Sequence, residues 1–195
     1  MVPPQSPLKS VKELIAYAKQ RPGELNYASA GPGSSGHLAT VLFSDLTGVK
    51  LQHVPYNKLS QGVMDIMSGR ISVWIVTLGG HLGNIKSGKV RALAVSGDNR
   101  AEQLPDVPTF KEQGVPFVAE TSWYGIFAPK GTPKPIVEKI NRDVNTVLTL
   151  PEVKARGAQL GYRFAGGPPD RLGAWLKSEI VKWATIADKA NLAKR

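Results

Sequence analysis

Two stretches of the chain, ISVWIV at 71–76 and VRALAVSG at 90–97, are apolar almost without alternation. A strand with one face in water alternates apolar and polar side chains, so runs of this kind belong to strands covered on both faces. Around them the apolar spacing switches to the helical period: Val11, Leu14, Ile15 and Ala18, then Leu38, Val41, Leu42 and Leu46. Shorter helices are expected at 61–67 and 81–86, with extended segments at 25–28 and 50–54 between them. Strands buried on both sides and alternating with helices predict an α/β fold with a mostly parallel sheet.

Local signals sharpen the boundaries. Ser10 and Glu13 have the spacing of a capping box, and Pro22-Gly23 closes the first helix. The second helix is expected from about Ser35 to Leu46, ended by Gly48. The proline-rich stretch EQLPDVPTFKEQGVPF at 102–117 reads as a connection. Beyond it, SWYGIFAPK predicts a strand, and Thr132-Pro133 supplies an N-cap and an N1 proline for a helix bearing Ile136, Ile140, Val144, Val147 and Leu148. A short helix from Pro151, a strand near Tyr162–Ala165 and a last helix striped with Leu172, Trp175, Leu176, Ile180, Trp183 and Ile186 complete the reading.

The stretch NYASAGPGSSGHLATVLF at 26–43 runs a loop of small residues directly into the second helix. Free backbone N–H groups and the positive end of the helix dipole make such a junction a seat for anions, with a plain capped turn as the alternative. Ser34 and Ser35 lack the Gly-x-Ser-x-Gly setting of a nucleophile and have no assignable base, so they are read as hydrogen-bond donors. HVPYN at 53–57 ends a strand in a turn that places Tyr56 at the carboxyl edge of the sheet, where α/β ligands bind; packing under a loop is the alternative for that ring.

Other chemistries find no support. The chain has no Cys, which removes disulfides, thiolate catalysis and Cys-based zinc sites. His37, His53 and His81 lie far apart in sequence without carboxylates at metal-ligand spacing, so no metal or cofactor is expected. The P-loop pattern is missing. The net charge of +10 raises nucleic acid as a partner, yet the only adjacent basic pair is Lys194-Arg195, and dispersed charge points instead to steering of small anions. Neither a membrane-length apolar run nor the apolar core of a signal peptide is visible, which reads as a soluble chain.

Five stretches in order, SVKELIAYAKQRPGELNYASAGPGSSGHLATVLF, HVPY, IKSGKVRALAVSGDNRAEQLPDVPTFKEQGV, SWYGIFAPKGTP and GGPPDRLGAWLKSEIVKWATIADKANL, resemble the Bug or TctC-type solute receptors of tripartite tricarboxylate transporters. The resemblance implies a type II periplasmic-binding-protein-like α/β fold, with two domains closing on a carboxylate and no catalysis. Carried onto this chain, it implies a ligand-binding second domain at 1–120 and, at 121–195, the returning C-terminal part of the first domain. Gly33, Ser34, Ser35, Gly36 and His37 would donate to the carboxylate, and Tyr56 would line the same wall.

Family members normally begin upstream, with an export signal and most of the first domain, so the chain is expected to be an N-terminally truncated relative. Its location would be the periplasm by resemblance, with the cytoplasm as the alternative because no signal is visible. The family's small turn after HVPY is replaced by Asn57, Lys58, Leu59 and Ser60, and its Asp-Val by Ser72-Val73. Apolar stripes at 121–195, Trp175, Leu176 and Trp183 among them, need a cover, which predicts a homodimer or domain-swapped dimer. The leading expectation is noncovalent carboxylate binding, with membrane components of the transporter as further partners. The alternative is a dimeric interaction or sensing module that has lost high-affinity uptake.

Overall fold

The computed structural model describes residues 1–117 and 123–189. The chain begins with α1 (Val11–Gln20), started by the Ser10 hydroxyl, which accepts the Glu13 N–H at 3.1 Å. Glu13 returns the favour one residue further out than a standard capping box, accepting the Lys9 N–H at 2.6 Å. β1 (Asn26–Ser29) follows, then α2 (Ser35–Thr47), whose C-cap Gly48 has φ of 69°, a conformation glycine adopts without a side-chain clash. β2 (Gln52–Pro55), α3 (Leu59–Ser68) and α4 (Leu82–Lys86) come next.

β1 and β2 pair in parallel, Tyr27 opposite His53 and Ser29 opposite Pro55. The apolar run at 71–76 lies alongside β1, joined by the parallel bridge Tyr27 to Val73 and the Val73 N–H to Asn26 carbonyl bond of 3.1 Å. The run at 90–97 is extended too, bridged to Val2 at Arg91 and to Thr109 at Val95. These runs, expected as full strands, make single bridges instead. Among the described residues regular pairing is confined to β1 and β2; beside β1 the Asn26 amide oxygen accepts the Ser72 N–H and hydroxyl at 2.7 and 3.0 Å.

Burial follows the expected face in α1 but not in α2 or in the helix at 134–149: α2 buries His37, Ala39, Thr40, Phe43 and Thr47 and leaves Leu46 45% exposed, and the later helix buries none of its stripe. One core gathers Val11, Leu14 and Ala18 of α1 with Tyr27, Phe43, Leu93 and Phe117; Phe43 meets Phe117 edge-on at 5.7 Å. A second, smaller core holds Ala28, Ile66, Ile71, Trp74 and Val90 beneath α3. Each fully buried aromatic of this kind contributes about 1.5–3 kcal/mol.

The remaining elements are α5 (Lys134–Thr149), α6 (Pro151–Gln159) and α7 (Pro169–Lys189). Thr132 does not cap α5: Pro133 holds the N-cap position, and the Thr132 hydroxyl donates to the Pro129 carbonyl at 2.8 Å. The strands expected at SWYGIF and at 162–165 make no ladder among the described residues; residues 121 and 122 lie outside them, as does the boundary expected at 120. A strand needs backbone pairing with a neighbouring edge, and the two stretches meet through side chains instead, Tyr124 edge-on to Tyr162 at 5.8 Å.

α7 packs on α2 and brings Trp183 against the first core, with Ile186 buried. The Trp183 indole donates to the buried Glu179 at 2.7 Å, and Lys182 pairs with the same carboxylate. A second contact joins loop to loop. A side chain on Gly79 would strike the Leu160 carbonyl oxygen at 2.5 Å, and one on Gly161 would meet the Gly79 Cα at 3.1 Å, so both positions require glycine. No helix among the described residues is long and apolar enough to cross a membrane.

Candidate functional site

Three parallel segments deliver their carboxyl ends to one rim: β1 into the glycine-rich loop, β2 into Tyr56, and the run at 71–76 into 77–80. This edge is where a parallel sheet binds its ligand, because the helices that follow point their N-termini at it. The loop turns sharply at Gly31 and Gly33, with φ of 108° and 78°. Ser34 then caps α2: its Oγ accepts the His37 N–H at 3.4 Å and donates to the Gly31 carbonyl at 2.7 Å. The Leu38 N–H is taken by the Ser34 carbonyl. Among the described residues, the N–H groups of Ser35 and Gly36 have no acceptor.

Gly36 sits where a Cβ would be 3.2 Å from the Ile75 carbonyl oxygen, so α2 begins as close to the sheet as backbone permits. Its first turn carries no acidic side chain. α1, by contrast, fills its own first turn with Glu13. The α2 N-terminus thus presents two N–H groups, the exposed Ser35 hydroxyl and uncompensated positive dipole to the rim.

Behind the loop lies a cluster that the sequence spacing concealed. Tyr27, His37 and His53 stack, with ring centroids 4.9 Å apart for Tyr27 and His53 and 4.3 Å for His37 and His53. Ser29 Oγ lies 2.6 Å from His53 Nε2 and accepts the Gly31 N–H at 3.0 Å. His37 Nδ1 accepts the Gly33 N–H at 3.1 Å. The signal for this cluster was available in part: Tyr27 and Ser29 share a strand face, and register puts His53 opposite Tyr27. Burial pushes His37 and His53 below the ordinary histidine value, and each proton on His37 acts further against one on His53.

Ser29 and His53 have the separation of a nucleophile and base, but Ser29 is only 1% exposed. Tyr56 lies at the rim, its N–H held by the Ser29 carbonyl at 2.9 Å. Its hydroxyl donates to Asp65 at 2.8 Å, and burial and that carboxylate push it up to about 12. Toward a ligand, Tyr56 therefore offers a ring edge and oxygen lone pairs. Of the substituted residues after it, Lys58 is the α3 N-cap and Leu59 is exposed beside it. His81 stands apart, its ring edge-on to Trp74 and its Nδ1 3.2 Å from the Thr77 carbonyl. Among the described residues, no group of three or more His, Asp or Glu could hold a metal ion.

The sequence matches the family described as the tripartite tricarboxylate transporter family receptor over residues 1–192. It is 40% identical over 187 residues to the UPF0065 protein in the tcbD-tcbE intergenic region of Pseudomonas sp. (strain P51), covering 95% of this chain and 56% of that one. With Protein BugT of Bordetella pertussis it shares 34% over 183 residues, covering 94% and 56%. The chain thus spans little more than half the length of these curated relatives.

Among solved structures, R. palustris Rpa4515 with adipate superposes at TM-score 0.82 with 35% identity, over 96% of this chain and 62% of the other. MatC (Rpa3494) from Rhodopseudomonas palustris with bound malate gives 0.76 and 29%, over 95% and 64%. The fold is accordingly that of a type II periplasmic binding protein in part.

Proposed function

Because the chain belongs to the tripartite tricarboxylate transporter receptor family, we propose that it holds a small carboxylate noncovalently at the start of α2 and does no chemistry on it. One observation carries the reading: the N–H groups of Ser35 and Gly36 open, unpaired among the described residues, onto the rim of a parallel sheet. Structural neighbours solved with adipate and malate, both dicarboxylates, give the reading its ligand class. In this account Gly33–His37 form one wall, with Ser35 and Gly36 contacting the ligand and Gly33, Ser34 and His37 shaping the turn. Tyr56 borders the wall. In the same reading, residues 1–120 form the ligand-binding second domain and 121–195 the returning C-terminal part of the first. On this reading the chain works in the periplasm and delivers solute to membrane components of the transporter, with the cytoplasm as the alternative; a neighbour named as a periplasmic binding protein supports the first location.

Thermal unfolding against mono-, di- and tricarboxylates tests this directly. A ligand at 100 times its Kd stabilises the fold by about 2.7 kcal/mol. A selective rise with one acid class is the expected result; a flat response across the panel removes carboxylate binding.

A second reading, a dimeric interaction or sensing module, is favoured by where apolar surface lies. Tyr124, Ile126, Phe127, Ile136 and Val147 are between 47% and 79% exposed, and α5 buries no residue. Exposed large apolar side chains of this kind favour association where they adjoin. The 195-residue polypeptide is therefore expected to run as a homodimer or swapped dimer in light scattering at micromolar concentration. A monodisperse monomer would remove the dimer, and with it this second reading.

A further inference from the structure

The glycine-rich loop is fastened from behind, and we propose that His37 is a positioning residue: its Nδ1 pins Gly33 so that the α2 N–H groups stay open to the carboxylate, and protonation releases the pin. The binding half of this rests on the carboxylate reading above; the pinning of the loop does not.

The geometry distinguishes the two histidines. Gly33 N–H donates to His37 Nδ1 at 3.1 Å, which requires a lone pair there and so a neutral ring protonated on Nε2. A proton on Nδ1 would set donor against donor. The His53 contact has no such restriction. Ser29 Oγ, 2.6 Å from His53 Nε2, is free to turn its own proton to the Gly31 carbonyl at 3.2 Å if the imidazole becomes the donor. Ser29 keeps the Gly31 N–H at 3.0 Å in either case. Acid sensitivity therefore falls on the pin at Gly33.

Nothing near His37 welcomes a proton. The titratable groups facing it are Tyr27 from β1 and His53 from β2; its own helix contributes the positive dipole end, and the Ile75 segment contributes backbone carbonyl against Gly36. The Tyr27 hydroxyl, pushed up to about 12 by burial, stays neutral. No carboxylate among the described residues bonds to either imidazole. With His37 pushed below its ordinary value of 6.5, the pin holds at neutral pH and gives way only on the acid side of that value. This sign is diagnostic. Simple attraction between an imidazolium and a carboxylate would tighten binding in acid, whereas loss of the pin weakens it.

The test needs no ligand at first. In nitrogen-15 NMR of the ligand-free protein, His37 is expected as the Nε2–H tautomer at about pH 8, with the Gly33 amide protected from exchange. Between about pH 8 and 5 that protection should fall along the titration curve of His37 itself. His37→Phe keeps a stacked ring and deletes the acceptor: Gly33 protection and adipate or malate affinity should each drop about tenfold at about pH 8. His37→Asn, whose amide oxygen reaches the Nδ1 position, should restore both and abolish their pH dependence.

Unchanged Gly33 exchange in the Phe variant, or affinity that rises as His37 protonates, overturns the proposal. Should the Phe variant fail to fold, the wild-type titration and the Asn variant decide. If adipate and malate both fail to bind the wild type, the carboxylate reading falls while the Gly33 measurement still judges the pin.

Discussion

Replacing Trp74 by Ala is expected to lower the unfolding free energy by about 3–5 kcal/mol, a large share of the roughly 5–15 kcal/mol that a domain has available. Trp74 is 1% exposed and anchors the smaller core with Ile66, Ile71 and Val90. Gly62 of α3 has no side chain because a Cβ there would lie 3.0 Å from the indole and 3.4 Å from the Tyr56 ring. The indole also meets His81 edge-on at 5.3 Å. Its removal leaves a cavity that α3 cannot fill without dragging Asp65, the acceptor of the Tyr56 hydroxyl, off its position. Denaturant midpoints with an unchanged m-value would report the loss. A cost below about 1 kcal/mol would mean that α3 collapses onto the space and that Trp74 does not hold up this side of the rim.

Ser35→Asp should move stability and binding in opposite directions. An acid in the first turn of a helix stabilises it by about 0.3–1 kcal/mol through the dipole, and α2 has none. The same carboxylate would occupy the place proposed for the ligand's. Two like charges about 4 Å apart at a protein surface repel by up to about 4 kcal/mol before salt screening, so affinity should fall by about 100-fold once screened. Ser35→Asn, close in size and uncharged, separates charge from bulk. Calorimetric titration beside thermal melting reads both quantities. A higher melting temperature with unchanged carboxylate affinity would place the ligand elsewhere.

Local chemistry was legible where short spacings decide it. The Ser10 and Glu13 pair starts α1, Gly48 ends α2, and the loop before α2 lies at the rim because every parallel strand must end there. Long-range pairing was not legible. The runs at 71–76 and 90–97 have the composition of covered strands, but their bridges are to residues distant in sequence: Val73 to Tyr27, Arg91 to Val2, and Val95 to Thr109. The cluster of Tyr27, His37 and His53 depends on the register of β1 against β2, which neither segment specifies alone. Tyr56 follows the end of β2, and its hydroxyl is claimed by Asp65 of α3, a partner no short spacing indicated. Thr132 had the composition of a cap and spends its hydroxyl on the preceding turn.

The docking of α7 on α2 also sets an order in time. Trp183 completes a core whose other members are all found by Phe117, roughly 66 residues earlier. At about 5–20 residues per second, a ribosome makes that interval some 3–13 seconds long. For those seconds the nascent chain has its sheet, its loop and most of its core, with the α2 flank still bare. The last helix is then a closing piece, and the emerging polypeptide is most open to a chaperone just before it arrives.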